Sequence, residues 1–336
     1  MAGRSALAGS ALGLLGGPVR AAAKERVAIA VPGPGNLLFL PITLADKIGA
    51  DEAEGLDLDI RYIGGGPQAY RDMLERNSDF SAGGMAALAL QKLSGKPVVC
   101  IAPMTRVPAY ALLVRNSLKG KVKSISDLAG KVIGVKGHVP GGRSTSQLFT
   151  EHVLMRSGVG PDRVNYVSVG QAYDNQHAAL ATGTVDAIMG DEPFATRLVK
   201  QKAAYVLADY HDLETTRRMM GGLFLNGQVA TREDFAKNRP DVVEKMVKTL
   251  KRTLVWIDKH SAREMVDALA LPTPEEREAL NEVLKLRKKV YSPDGRFSAE
   301  QLATVDHFLH ATETSDAARA FSVSSIVQDR WAGKAL

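Results

Sequence analysis

Apolar and polar positions follow two periods that replace one another along most of the chain. Val27 to Val31 is a continuous apolar run, while Leu56, Leu58, Ile60 and Tyr62 alternate with polar neighbours. Asp79 to Ala82 and Val98 to Ala102 are again short and β-rich, and Tyr110 to Arg115 is extended. Between them Leu37 to Ile48, Gln68 to about Arg76 and Gly84 through Lys92 carry apolar residues at helical spacing. The pattern then repeats. Lys131 to Val135, Val164 to Val169, Val185 to Met189 and Tyr205 to Leu207 read as strands. The helices between them start near Arg143, Ala172 and Phe194. Strand and helix alternating at this spacing predict an α/β protein with mostly parallel sheets flanked by helices.

Gly221 to Leu225 reads as an extended return, and the chain is helical from Arg239 onward. There Val243, Met246, Val247, Leu250, Leu254 and Ile257 form one stripe, opposite Lys245, Lys248, Lys251 and Arg252. Such a basic run is a solvated helix face. The two alternating units echo each other. Gly66-Pro67-Gln68-Ala69-Tyr70 matches Val169-Gly170-Gln171-Ala172-Tyr173, and each copy lies between a strand and a helix that leads to an Asp-led strand. An internal pseudo-repeat of this kind gives two similar lobes, whose strand ends and helix starts face a shared crevice.

The most informative turn is Lys136-Gly137-His138-Val139-Pro140-Gly141-Gly142, which empties one strand into the helix opened by Arg143-Ser144-Thr145-Ser146. Glycines there let a guest approach backbone. The free N–H groups and the positive end of the helix dipole attract an anion. Ser144, Thr145 and Ser146 can cap the helix or bind the guest, with Arg143 beside them. Residues 137–144 also spell a phosphate loop with Arg143 where the lysine belongs, but a planar guanidinium cannot copy a compact ammonium. His307 and His310 stand three apart without a tight third ligand, so no metal site is expected. No Ser or Cys is set beside a base, so no catalytic residue is expected either.

Composition narrows the class. Met1 to Ala23 holds no acid, and its small apolar stretch ends in Ala21-Ala22-Ala23, which predicts a secretory leader over residues 1–23 and a mature start at Lys24. Losing Arg4 and Arg20 with the leader takes the basic count from 43 to 41 against 37 acids, too small and scattered an excess for nucleic acid. Cys100, the single cysteine, lies in a β-like run, which excludes an intrachain disulfide and a lipid anchor at the mature start. A soluble, periplasmic protein follows, and its length calls for two lobes.

Taken together, Gly130 to Val135, the Gly-Gly-x-Ser helix start and Val185-Asp186-Ala187-Ile188…Glu192-Pro193-Phe194-Ala195 resemble the periplasmic substrate-binding proteins of nitrate/sulfonate/taurine-type ABC transporters. That family includes relatives that bind thiamine-pyrimidine precursors. The resemblance, nearly the whole mature chain, implies a two-lobed type II periplasmic-binding-protein fold with the ligand cleft between lobes. Lobe 1 would be 24–112 plus 221–336 and lobe 2 113–220, with crossings near Ala109 to Arg115 and Gly221 to Asn226.

The resemblance also implies ligand contacts at Asn36 and Leu37, at Gly84 and Met85, at Gly141, Ser144 and Thr145, at Gln171, and at Asp191 and Glu192. Gly66 and Gln68 of the first repeat copy and Tyr110 at the crossing complete the expected set. Met85 favours a guest with an apolar part over nitrate, and Glu192 could instead cap the helix behind Pro193. The implied protein is a monomeric receptor with no cofactor. It would deliver a small organic, sulfonate- or carboxylate-like molecule to a membrane permease and its ATPase. The alternative is an enzyme on the same fold, related to thiamine-pyrimidine synthases, which would need a cysteine cluster that Cys100 alone cannot supply.

Overall fold

The computed structural model describes residues 24–136 and 142–334; the expected leader and Gly141 lie outside them. The first sheet holds β1 (Glu25–Pro32), β2 (Leu56–Ile63), β3 (Phe80–Gly84) and β4 (Val98–Pro103). The second holds β5 (Tyr110–Arg115), β6 (Val132–Val135), β7 (Asn165–Ser168), β8 (Ala187–Asp191) and β9 (Ala204–Asp209). The chain then returns, and β10 (Gly227–Arg232) completes the first sheet. The strand orders are β2-β1-β3-β10-β4 and β7-β6-β8-β5-β9.

Four strands of each sheet run one way, and the fifth, β10 or β5, runs against both its neighbours. The reversed strand is in each case the first one reached after crossing from the other sheet. Tyr110–Arg115, expected as the first crossing, is therefore a full strand of the second sheet, and 104–109 makes the passage. The return runs through 221–226.

Position in the sheet explains the patterns. β1 lies between β2 and β3 and is buried over six successive residues, as a strand covered on both faces must be. β2 is an edge strand, and its alternation puts Leu56 and Leu58 inside.

The helices are α1 (Leu40–Lys47), α2 (Ala50–Ala53), α3 (Gly66–Leu74) and α4 (Met85–Leu93) in the first unit. The second carries α5 (Thr145–Arg156), α6 (Tyr173–Thr182), α7 (Phe194–Lys200) and α8 (Leu213–Met220). The tail adds α9 (Glu233–Asn238), α10 (Pro240–Lys259), α11 (Ala262–Leu269), α12 (Pro274–Arg287), α13 (Ala299–Thr312) and α14 (Asp316–Arg319). The apolar stripe of α10 is buried, and the helix packs on α1, α2 and β4.

One apolar core runs through both lobes. Where they join, Phe149 of α5 has four aromatic rings around it: Tyr110 at 5.6 Å, Tyr210 at 5.0 Å, Phe224 at 6.2 Å and Phe308 at 6.1 Å. These rings come from β5, the segment after β9, the return crossing and α13, so every chain path through the hinge is tied to one cluster.

Candidate functional site

The C-terminal ends of β1, β3, β6 and β8 open on one cleft between the sheets, the place where parallel strands present free loops and helix starts. After β1, Asn36 leads into a single 3₁₀ turn, and its Oδ1 accepts the Leu38 N–H at 2.9 Å. Its Nδ2 reaches across to donate to Asp191 Oδ2 at 2.9 Å. One residue on, the Leu37 N–H donates to the Glu192 carbonyl at 2.8 Å. The first loop of one lobe is thus bonded to the end of β8 in the other.

A third link joins two helix starts. Ser144 is the N-cap of α5, with its Oγ accepting the Gln147 N–H at 3.2 Å. Thr145, the next residue, points the other way, and its Oγ1 accepts the Ala87 N–H at 3.1 Å. A hydroxyl of lobe 2 therefore caps α4 of lobe 1. Two glycines permit this closeness. A Cβ on Gly84 would come within 2.1 Å of Thr145 Oγ1, and one on Gly33 within 2.9 Å of Gln171 Cβ.

The cleft encloses about 30 Å³, lined by Pro32, Asn36, Leu38, Phe39, Gly66, Gly84, Ala87, Tyr110, Lys136, Ser144, Thr145, Ser146, Gln171 and Asp191. Among the described residues its charged groups are Lys136, directly after β6, and Asp191, the last residue of β8. They form an ion pair with side chains only 2% and 3% exposed. Burial pushes the Lys136 ammonium below the ordinary lysine value, and Asp191 pulls it back. The ammonium lies 5.8 Å from the centre of the Tyr110 ring, within cation–π reach. Burial, with Asp191 nearby, pushes the Tyr110 hydroxyl well above the usual phenol range. Tyr110 stands opposite Asp191 in the β5–β8 register, so the sheet itself fixes that neighbourhood.

Eight of the expected residues line this cleft: Asn36, Gly66, Gly84, Tyr110, Ser144, Thr145, Gln171 and Asp191. Four others do not. Leu37 and Met85 are buried in the apolar core, at 1% and 0% exposure, where burying their apolar side chains is favourable, and neither lines the cleft. Glu192 caps α7, accepting the Thr196 N–H at 3.0 Å and the Thr196 hydroxyl at 2.9 Å. Gln68 lies inside the first turns of α3, its Oε1 buried without a hydrogen-bond partner. Gly141 lies outside the described residues. Arg143, expected beside an anion, is instead paired with Glu151 at 2.7 Å and with Glu313 beyond the end of α13. Sequence reasoning missed Lys136, the principal cation of the cleft among the described residues.

Pro34, Gly35, Pro193 and Phe194 flank the two site loops and line an adjoining apolar cavity of about 180 Å³ with Tyr62, Leu269, Leu271 and Leu280. A larger open groove of about 610 Å³ lies beside β4 at the outer edge of the first sheet. It is flanked by Glu233, Lys237, Asp329 and Arg330, and no strand C-terminus of the cleft opens on it.

The family described as NMT1/THI5 like matches residues 36–263. YtlA of Bacillus subtilis (strain 168), named as a binding protein, is 23% identical over 236 residues, covering 70% of this chain and 67% of that protein. Among solved structures, a Bordetella bronchiseptica RB50 protein matches at a TM-score of 0.83 and 24% identity, over 92% of this chain and 96% of that one. The alkanesulfonate-binding protein SsuA of Xanthomonas axonopodis pv. citri, solved with MOPS, matches at 0.71 and 18%, over 92% and 99%. The desulfurization enzyme DSZB matches at 0.62 and 16%, over 92% and 98%. At these identities the structural likeness shows the fold, and it is the two-lobed periplasmic-binding fold that the sequence resemblance implies.

Proposed function

The chain belongs to the NMT1/THI5-like family, and on that premise we propose that it is an exported solute receptor of an ABC importer. It captures a small organic molecule between its lobes and hands it to a membrane permease driven by an ATPase. The observation that carries this reading is the convergence of four strand ends on one buried polar cleft whose walls come from both lobes. Relatives and fold neighbours named as binding proteins support it. The guest carries an anionic, sulfonate- or carboxylate-like group, consistent with a lysine ammonium in the cleft and with the helix start at Ser144.

The receptor is read as non-catalytic. Among the described residues, the hydroxyls of Ser144 and Thr145 are committed as helix caps, and no histidine lines the cleft to take a proton from them. The nearest histidine in sequence among those residues, His152, packs its ring on Phe308 at 5.1 Å. Cys100 is buried in β4. No helix of the described residues is long and apolar enough to cross a membrane, and the leader at 1–23 would place the mature chain in the periplasm.

A thermal-shift screen over sulfonates, carboxylates, amino acids and pyrimidines tests the reading. A true guest at one hundred times its dissociation constant adds about 2.7 kcal/mol of stability. It should also shrink the radius of gyration seen by small-angle scattering. Saturating binding with an unchanged scattering profile refutes capture between lobes, and turnover of any bound compound refutes the non-catalytic assignment.

A further inference from the structure

Lys136 and Asp191 come from the ends of neighbouring strands in one lobe, and together they leave the lining formed by the described residues without net charge. Each has spare bonding capacity. The ammonium is bound by Asp191, yet it carries three donors, more than that one carboxylate oxygen takes. Asp191 Oδ2 also takes the Asn36 amide at 2.9 Å, so the carboxylate keeps a tether to lobe 1 whatever happens to the lysine. Gln171, on the same lining, has its Oε1 buried with no partner.

A guest bearing one charge would leave this buried, balanced pair unbalanced. If an anion draws Lys136 to itself, Asp191 is left as a buried carboxylate without its cation; a cation on Asp191 strands Lys136. Removing one member of a buried pair is strongly unfavourable, whereas replacing both partners together is not. A molecule that carries both signs can do the latter.

We propose that the guest is amphoteric: its anionic group takes the Lys136 ammonium, and its protonated amine takes the Asp191 carboxylate. The guest splits the resident ion pair and substitutes for each partner. Gln171 Oε1 is available to a further N–H of the amine. This rests on the receptor reading and adds the charge class of the solute and the two residues that select it.

The test uses the full chain and matched triplets: taurine with ethanesulfonate and ethylamine, β-alanine with propionate and ethylamine, γ-aminobutyrate with butyrate and propylamine. Uncharged amides and pyrimidines complete the panel. Binding is read by thermal shift and calorimetry in the wild type, Asp191→Asn, Lys136→Met and the double variant. We expect an amphoteric compound to bind the wild type at least about tenfold more tightly than its singly charged analogues, since a hydrogen bond to a charged group is worth about a tenfold factor or more. In Asp191→Asn the simple anion should gain about tenfold, because Lys136 is no longer neutralised from within. The double variant, with no unpaired charge left behind, should melt like the wild type and bind none of the triplets, which separates lost recognition from lost folding.

A singly charged or uncharged compound that binds the wild type as tightly as its amphoteric partner overturns the proposal and leaves the receptor reading standing. So does selectivity that survives in the double variant. If nothing in the panel changes melting or compactness, both fall together.

Discussion

Gly84→Ala isolates closure of the lobes from the chemistry of the cleft. Gly84 has φ −86° and ψ 136°, an ordinary extended conformation, so alanine meets no backbone strain there. The added methyl would instead lie 2.1 Å from Thr145 Oγ1, 2.5 Å from Thr145 Cβ and 3.0 Å from Asn226 Oδ1. The two shortest contacts are to the opposite lobe, so the severe part of the clash exists only when the lobes are together. Overpacking of this kind costs about 1–3 kcal/mol. Charged wholly to the closed state, it reduces the population competent to hold a guest, and apparent affinity falls in proportion, by roughly fivefold to over a hundredfold. Calorimetry with the best compound from the screen reads the affinity, and scattering reads the loss of ligand-induced compaction. Thr145→Gly in the same chain removes both clashing atoms and should restore part of the loss, a coupling that independent sites would not show. Affinity within twofold of the wild type, with compaction unchanged, would refute the contact between α4 and α5 as the point of closure.

Other consequences are read without a ligand. His152 is held neutral to about pH 4, mainly by burial and secondarily by Arg156. The unfolded chain takes up that proton near pH 6.5, so stability falls as pH drops from 6.5 toward 4, by at most about 3 kcal/mol. His152→Gln should flatten that part of the melting-temperature profile. Cys100 is buried and its thiol is pushed far above the usual range by desolvation, so a thiol reagent should label native protein only at the rate of unfolding. Glu192→Ala should lower stability by about 1 kcal/mol, the worth of a helix cap, and leave ligand affinity unchanged.

The elements that sequence made legible are those whose environment writes a pattern. β1 is apolar without interruption from Val27 onward because it is covered on both faces there, and Gly84 is glycine because another lobe approaches it. β10 escaped notice because its buried positions include Gln228, Thr231 and Arg232. Each has a distant partner: the Gln228 amide donates to the Tyr70 hydroxyl, Thr231 to the Asp79 carbonyl, and Arg232 to the Met73 and Ser78 carbonyls. Lys136 was passed over for a related reason. A lysine at a strand end is nearly always solvated, and its partner lies on another strand, reached only through the β6–β8 register. Leu37 and Met85 show the converse. Resemblance located their loops, but the direction of a side chain at a helix start depends on which face meets the sheet, and both faced the core.

Ser144 and Thr145 are adjacent hydroxyls at one helix start, and the structure gives them different work. Ser144 caps its own helix, so Ser144→Ala should cost about 1 kcal/mol of stability in any state of the lobes. Thr145 caps the helix of the other lobe, so its bond exists only when the lobes are together. Thr145→Ala should therefore leave the open form unharmed and weaken the closed one. In the empty protein the change should appear as a larger radius of gyration. With ligand, two outcomes are distinguishable. If the Ala87 N–H and Thr145 hydroxyl stay bonded to each other, affinity falls about as much as closure does, roughly five- to tenfold for a bond of about 1 kcal/mol. If the guest takes both groups for itself, the empty protein loses one bond and the complex loses another, and affinity changes less than compactness does. An empty protein whose compactness is unchanged by Thr145→Ala would mean that the bond between the helices contributes nothing to holding the lobes together.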